Sequence, residues 1–120
     1  MEGYMKKSKN FEMEAYLSGV LQAYAIEIAI SAQRIAKPKS YGTLYWQMND
    51  AWPGISWSSI DYFGRWKPLQ YTAKRLYLNI AVFYSHEANT IVAINDNLYE
   101  VSIQVQIKVM NFKGEIIEEK

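Results

Sequence analysis

The chain has 120 residues, 50% hydrophobic and 15% aromatic, which is enough apolar material for a folded core and too much for a disordered segment. A formal net charge of +1 removes any electrostatic case for nucleic acid or an anionic membrane as partner, and no apolar run approaches the ~20 residues that span a bilayer. Without cysteine, a disulfide, a thiol nucleophile and a Cys-ligated metal are excluded.

Residues 1–9 are polar, and Met1-Glu2 does not open a basic-then-apolar signal peptide. Asn10 is suited to cap a helix, with Glu12 and Glu14 placed to complement its dipole. Leu17, Leu21, Tyr24, Ile28 and Ile35 recur at helical spacing, and Val20, Ala25, Ala29 and Ala32 widen the face. The spacing predicts a scaffold helix over 11–36, ended by Pro38 and weakened at Gly19 by about 1 kcal/mol relative to alanine. Gly42–Trp46 then reads as a strand covered on both sides. Residues 49–66 form a long loop with a tight turn at Phe63–Trp66, and loops of this length are usually functional. Pro68 is placed to start a second helix, whose apolar face is Leu69, Ala73, Leu76 and Tyr77.

Near residue 78 the apolar period changes from helical to two. Ala81–Tyr84 and Ile91–Ile94 read as strands, and Val101, Ile103, Val105, Ile107 and Val109 alternate with polar residues as a half-buried strand. Asn111–Gly114 is a hairpin turn and Glu115–Glu118 the returning strand. The boundary is therefore drawn between 1–77 and 78–120. One αβα unit leaves its strand uncovered, and three or four strands fall short of the roughly seven of a sandwich, so the chain is expected to be a segment of a larger protein.

All four tryptophans lie within 46–66, beside Gln47, Asn49 and Asp50. Such a cluster is either a local core or a surface that holds a flat, polar ligand. Trp57 and Trp66 fit loop packing. Asn49 and Asp50 fit backbone capping as well as ligand contact. Nothing in the spacing pairs Asp50 with Asp61. His86 is the sole histidine, expected at a strand end, and no metal site, phosphate loop or nucleophile elbow is present in the sequence.

Gly42-Thr43-Leu44-Tyr45-Trp46-Gln47-Met48-Asn49-Asp50-Ala51-Trp52-Pro53, Ser56-Trp57-Ser58-Ser59 and Asp61–Lys67 closely resemble the C-terminal end of the catalytic barrel in β-mannosidases of glycoside hydrolase family 2. Leu21–Ile26 is similar to that barrel's seventh helix and Pro68–Tyr77 to its last. Ile94–Leu98 and Val109–Gly114 are similar to the opening strands of the immunoglobulin-like domain that follows. The resemblance implies an α+β segment: the last αβα unit of a (β/α)8 barrel, with Tyr41–Gln47 as strand eight, followed by antiparallel strands of an immunoglobulin-like sandwich. It implies a retaining exo-β-mannosidase as the parent, acting on a β-mannoside without a cofactor. Trp46 would form the floor of the sugar pocket, Gln47, Asn49 and Asp50 would face sugar hydroxyls, and Trp52 and Trp57 would wall the pocket or pack the loop.

Retaining glycosidases use two carboxylates about 5–5.5 Å apart. In the family these glutamates lie on earlier barrel strands, and Glu2, Glu12, Glu14 and Glu27 have neither context. No catalytic residue is therefore expected in this chain, and its expected partner is the remainder of the catalytic domain. Unpaired sheet edges would also let it self-associate. The alternatives are a family 2 exo-glucosaminidase segment, from which Asp50 in place of an expected Asn sets this chain apart, and a non-catalytic carbohydrate-binding or structural domain.

Overall fold

A computed structural model describes residues 3–119; residues 1, 2 and 120 of the polar ends lie outside it. The element order is α1 (Phe11–Ile35), α2 (Pro68–Leu76), β1 (Ile80–Ser85), β2 (Thr90–Asn95), β3 (Lys108–Met110) and β4 (Ile116–Glu119). The architecture is α+β, with two antiparallel two-stranded sheets, β1–β2 and β3–β4.

Helix α1 begins as its sequence dictates: the Asn10 side chain accepts a 2.8 Å hydrogen bond from the Met13 amide. It ends at Ile35, with the Ala36 amide bonded to Ala32 O. A Cβ added at Gly19 would stand 3.4 Å from Pro68 Cδ, so this glycine lies where α1 and α2 touch. Helix α2 has Pro68 in its first turn and buries Leu69, Thr72, Ala73 and Leu76. The hairpin β1–β2 pairs Ile80 with Asn95 through Ser85 with Thr90, and His86 follows directly on β1.

These elements share one core. Ile30 of α1, Leu76 of α2, Ala81 and Phe83 of β1 and Ile94 of β2 form a buried cluster, edged by Ile26, Ile35, Tyr45 and Val92. Arg34, only 7% exposed, lies over the Phe83 ring and donates to the Leu76 carbonyl and, at 2.7 Å, to Asp96 Oδ2. Lys37 pairs with the other oxygen of Asp96. The end of α1 is thus fastened to the residues that follow β2.

Three expectations are corrected. No strand forms over 41–47; two residues beyond it, Asn49 makes an isolated bridge to Ile60. Residues 101–107 are also outside any strand, and Ile103, Val105 and Ile107 are each at least 40% exposed. Both patterns call for ladder partners that no described segment supplies, and a strand without a neighbour leaves its backbone groups to water. Finally, α1 is long and apolar enough, by length and composition alone, to cross a membrane. Its apolar residues extend around most of its circumference: Phe11, Tyr16, Tyr24 and Ile28 are exposed while Ala23 and Ile30 are buried.

The molecule is open for its mass. Its accessible surface is 9916 Å², against about 6700 Å² for a compact monomer of this size. Its radius of gyration is 17.0 Å, against about 14 Å for a compact domain of this length.

Candidate functional site

The segment between the helices folds without regular secondary structure. Its backbone is braced by short pairings: Ile60 N donates to Met48 O at 2.8 Å, Asp50 N to Ile60 O at 3.0 Å, and Lys67 N to Ser59 O at 2.9 Å. Ser58 and Ser59 are fully buried in the middle of this arrangement. Ser59 Oγ lies 2.8 Å from Met48 O, 2.7 Å from Gln70 Oε1 and 2.9 Å from the Tyr45 hydroxyl, joining the segment to α2. Gln22 of α1 donates to the Trp57 carbonyl at 2.6 Å. The Trp46–Gln47 peptide is cis.

The tryptophans do not form a core. Trp46 is 75% exposed, and Trp52, Trp57 and Trp66 are also exposed. Trp66 lies against Tyr71, with ring centroids 5.1 Å apart, and beneath Lys74. Gln47 accepts from the Trp57 indole at 3.2 Å and donates to Asn49 O at 2.6 Å. Asn49 donates to Asp50 O at 3.3 Å, a local backbone contact. Gln47, Asn49 and the exposed indoles of Trp46 and Trp52 thus sit on one continuous loop.

Asp50 is different. Its carboxylate is 7% exposed, accepts from Ser56 Oγ and stands 3.4 Å from Lys67 Nζ. The Ser56 and Ser58 hydroxyls, and after them the Lys67 ammonium, outweigh partial desolvation and hold its carboxyl below the usual carboxylate range. Asp61 is committed elsewhere. It accepts from the Phe63 and Arg65 amides, each at 2.9 Å, and pairs with Arg65 Nε at 2.6 Å. Desolvation pushes the Asp61 carboxyl up, but the Arg65 amide, the guanidinium and the Phe63 amide together hold it below its ordinary value. Each aspartate has its own cation. Two surface depressions, at Gly3–Lys7 and around Gln33, Ser40 and Gly42–Leu44, are lined by other residues. No cluster of His, Asp and Glu that could hold a metal occurs among the described residues.

Lys67, Ser56 and Ser58 were not singled out by sequence reasoning. One signal was available: Lys67 precedes the Pro68 that starts α2, a cap position where a lysine can accept no hydrogen bond.

No family model matches the chain. A β-mannosidase A of Aspergillus terreus is 32% identical over 115 residues, covering 90% of this chain and 12% of that protein. The β-mannosidase of Capra hircus is 37% identical over 76 residues, covering 58% of this chain and 9% of that one. The crystal structure of a β-D-mannosidase from Dictyoglomus thermophilum aligns with a TM-score of 0.73 at 34% identity, over 81% of this chain and 12% of that one. The chain is related to a stretch of the β-mannosidases. It spans about a tenth of the length of the relatives it matches, and the likeness to the solved β-mannosidase holds in three dimensions as well as in sequence.

Proposed function

We propose that this chain is a segment of a retaining glycoside hydrolase, an exo-β-mannosidase that removes terminal β-D-mannose. In this reading residues 1–77 are the end of its (β/α)8 barrel and 78–120 the start of an immunoglobulin-like domain. The segment contributes to the sugar pocket through Trp46, Gln47, Asn49 and Trp52, and the two catalytic glutamates lie outside it. The likeness to β-mannosidases through helix, loop and hairpin carries the reading. The exposed Trp46 indole supports it, since an indole face suits the C–H face of a pyranose.

The test is to graft residues 11–119 into the corresponding stretch of the Dictyoglomus thermophilum enzyme. The graft is expected to hydrolyse an aryl β-mannoside, and Trp46→Ala to lower kcat/KM by about a hundredfold with little change in Tm. A folded but inactive graft, or a fully active Trp46→Ala graft, would overturn the proposal. The 120-residue chain alone is expected to release no nitrophenol above the buffer rate.

The excess accessible surface supports a second part of the proposal. In the parent enzyme it is covered by the remainder of the catalytic domain, which also accounts for an α1 apolar on most sides. The isolated chain then self-associates through that surface. Light scattering is expected to give a mass above 14.0 kDa, and a monodisperse monomer would count against it.

A further inference from the structure

Lys67 occupies a position that is unfavourable for its helix. As the cap residue of α2 it makes no side-chain cap, and its charge sits at the positive end of the helix dipole. A residue that breaks a local rule is expected to be compensated through some other contact. Here the compensation is visible. Lys67 Nζ stands 2.9 Å from Ser58 Oγ, 3.3 Å from Ser56 Oγ, 3.5 Å from Ser56 O and 3.4 Å from Asp50 Oδ2. Ser56 Oγ in turn donates to Asp50 Oδ1, so Asp50 and Ser56 close the ends of a short loop with Trp52 inside it. Ser56 Oγ also lies 3.0 Å from Ser58 Oγ and accepts from the Ser58 amide at 3.1 Å. Every polar group around the ammonium is engaged, and the carboxylate turns inward while the Trp52 indole stays exposed.

We infer that Lys67, Asp50, Ser56 and Ser58 form a clamp that positions the Trp52 loop, and that Asp50 is a positioning residue which does not contact the sugar. The inference rests on the proposal that this loop borders a mannoside pocket, and it removes Asp50 from the residues that the sequence resemblance implies would face sugar hydroxyls. Sequence pattern makes Asp50 as good a candidate for hydroxyl binding as Asn49. Burial and pairing separate the two, because a carboxylate that is 7% exposed and has each oxygen turned to a serine or an ammonium presents little surface to a ligand. The short chain from Asp50 to Ser56 gives the clamp leverage. Fixing both ends and anchoring them to the start of α2 limits where Trp52 can go.

Two measurements test it. In the 120-residue chain, a 13C NMR titration of the Asp50 carboxyl is expected to show a midpoint below that of an ordinary aspartate, moving up in Lys67→Met and in Ser56→Ala. An Asp50 midpoint unchanged by both substitutions overturns the clamp. In the grafted enzyme, Lys67→Met and Asp50→Asn are each expected to raise KM about tenfold with kcat nearly unchanged. The double variant is expected to be no worse than either single one, and Lys67→Arg to restore most of the loss. Loss of activity in Asp50→Asn with Lys67→Met unaffected would mean that Asp50 touches the substrate, and would overturn the inference. An inactive wild-type graft would remove the mannosidase proposal, and the titration would still decide the clamp.

Discussion

Residues 46–67 and residues 98–119 are of similar length, and neither contains a long regular element, yet they hold their shape by different means. The first carries its own partners. Ser58, Ser59, Asp50, Asp61 and Lys67 satisfy one another and the local backbone, and two serines in its middle are fully buried. The second has partners only at its surface: Asn111 braces the turn, Glu119 meets Gln106 and Lys108, and none of its residues is buried. Its one pairing, β3 with β4, has a register shift between Val109 and Met110, and the side chains of both strands are exposed. A polar segment with reciprocal side-chain bonds can therefore be shaped locally, whereas an alternating strand is shaped only by neighbours that lie further away in sequence or outside the chain.

The sharpest way to test that difference is to truncate an apolar side chain on each side of it. Ile30 is 1% exposed and touches the shared core of helices and hairpin, so Ile30→Ala is expected to destabilise the chain by about 2–5 kcal/mol in urea unfolding. Ile103 is 43% exposed, and Ile103→Ala is expected to change stability by less than about 0.5 kcal/mol. Equal effects would show that residues 101–107 are packed in solution and would abolish the contrast.

The same contrast explains what could be read from the residues alone. Both helices, their starts at Asn10 and Pro68, the strands β1 and β2 and the turn at Asn111–Gly114 were legible, because each is specified by nearby residues. The strand expected at 42–46 did not form and the one expected over 101–109 formed only at its end, in β3, because an apolar pattern names the kind of neighbour a strand needs without providing it. Within the candidate site, the exposed indole of Trp52 lies on the loop where the sequence put it, whereas that of Trp46, expected at the end of a strand, is carried on irregular backbone. Asp50 was chosen for its chemistry, and its partners were missed because Ser56, Ser58 and Lys67 meet it through the fold. Arg34 and Asp96 were missed for the same reason, since 62 positions separate them in the chain.

That pair offers a test of intermediate size. Arg34 is the buried side chain holding the end of α1 to the residues after β2, so Arg34→Met removes a donor from Leu76 O and a cation from Asp96. A loss of about 1–3 kcal/mol is expected, moderated because Lys37 remains beside Asp96. The Lys37 hydrogen bond first, and the Arg34 charge with it, hold the Asp96 carboxyl below its ordinary value against partial desolvation. Since the folded-state value is the lower one, this stabilisation is complete above the unfolded carboxylate pKa of about 3.9. It is lost as pH falls through the folded value. The advantage of the wild type over Asp96→Asn should therefore disappear in strong acid, and an advantage that persists there would show that Asp96 acts through packing.

A finer test lies at Gly19, where local preference and tertiary contact meet in a single atom. A helix interior favours alanine over glycine by about 1 kcal/mol, and the sequence alone marks Gly19 as a weak point. In the fold, a Cβ there would reach ordinary contact with Pro68, with Cδ at 3.4 Å and Cγ at 3.5 Å, and with nothing else within 4 Å beyond the adjoining backbone of α1. Alanine should therefore fit against α2 without displacing it, and Gly19→Ala is expected to be neutral or to stabilise by up to about 1 kcal/mol in thermal unfolding. Gly19→Leu should destabilise by about 1–3 kcal/mol, because its further atoms must push Pro68 and the start of α2 away. Moving α2 would also move Lys67, so the leucine variant should raise the Asp50 midpoint as Lys67→Met does. Destabilisation by leucine without that rise would mean that the loop holds itself together independently of the helix it is anchored to, and would extend the self-sufficiency of residues 46–67 beyond what the Lys67 contacts require.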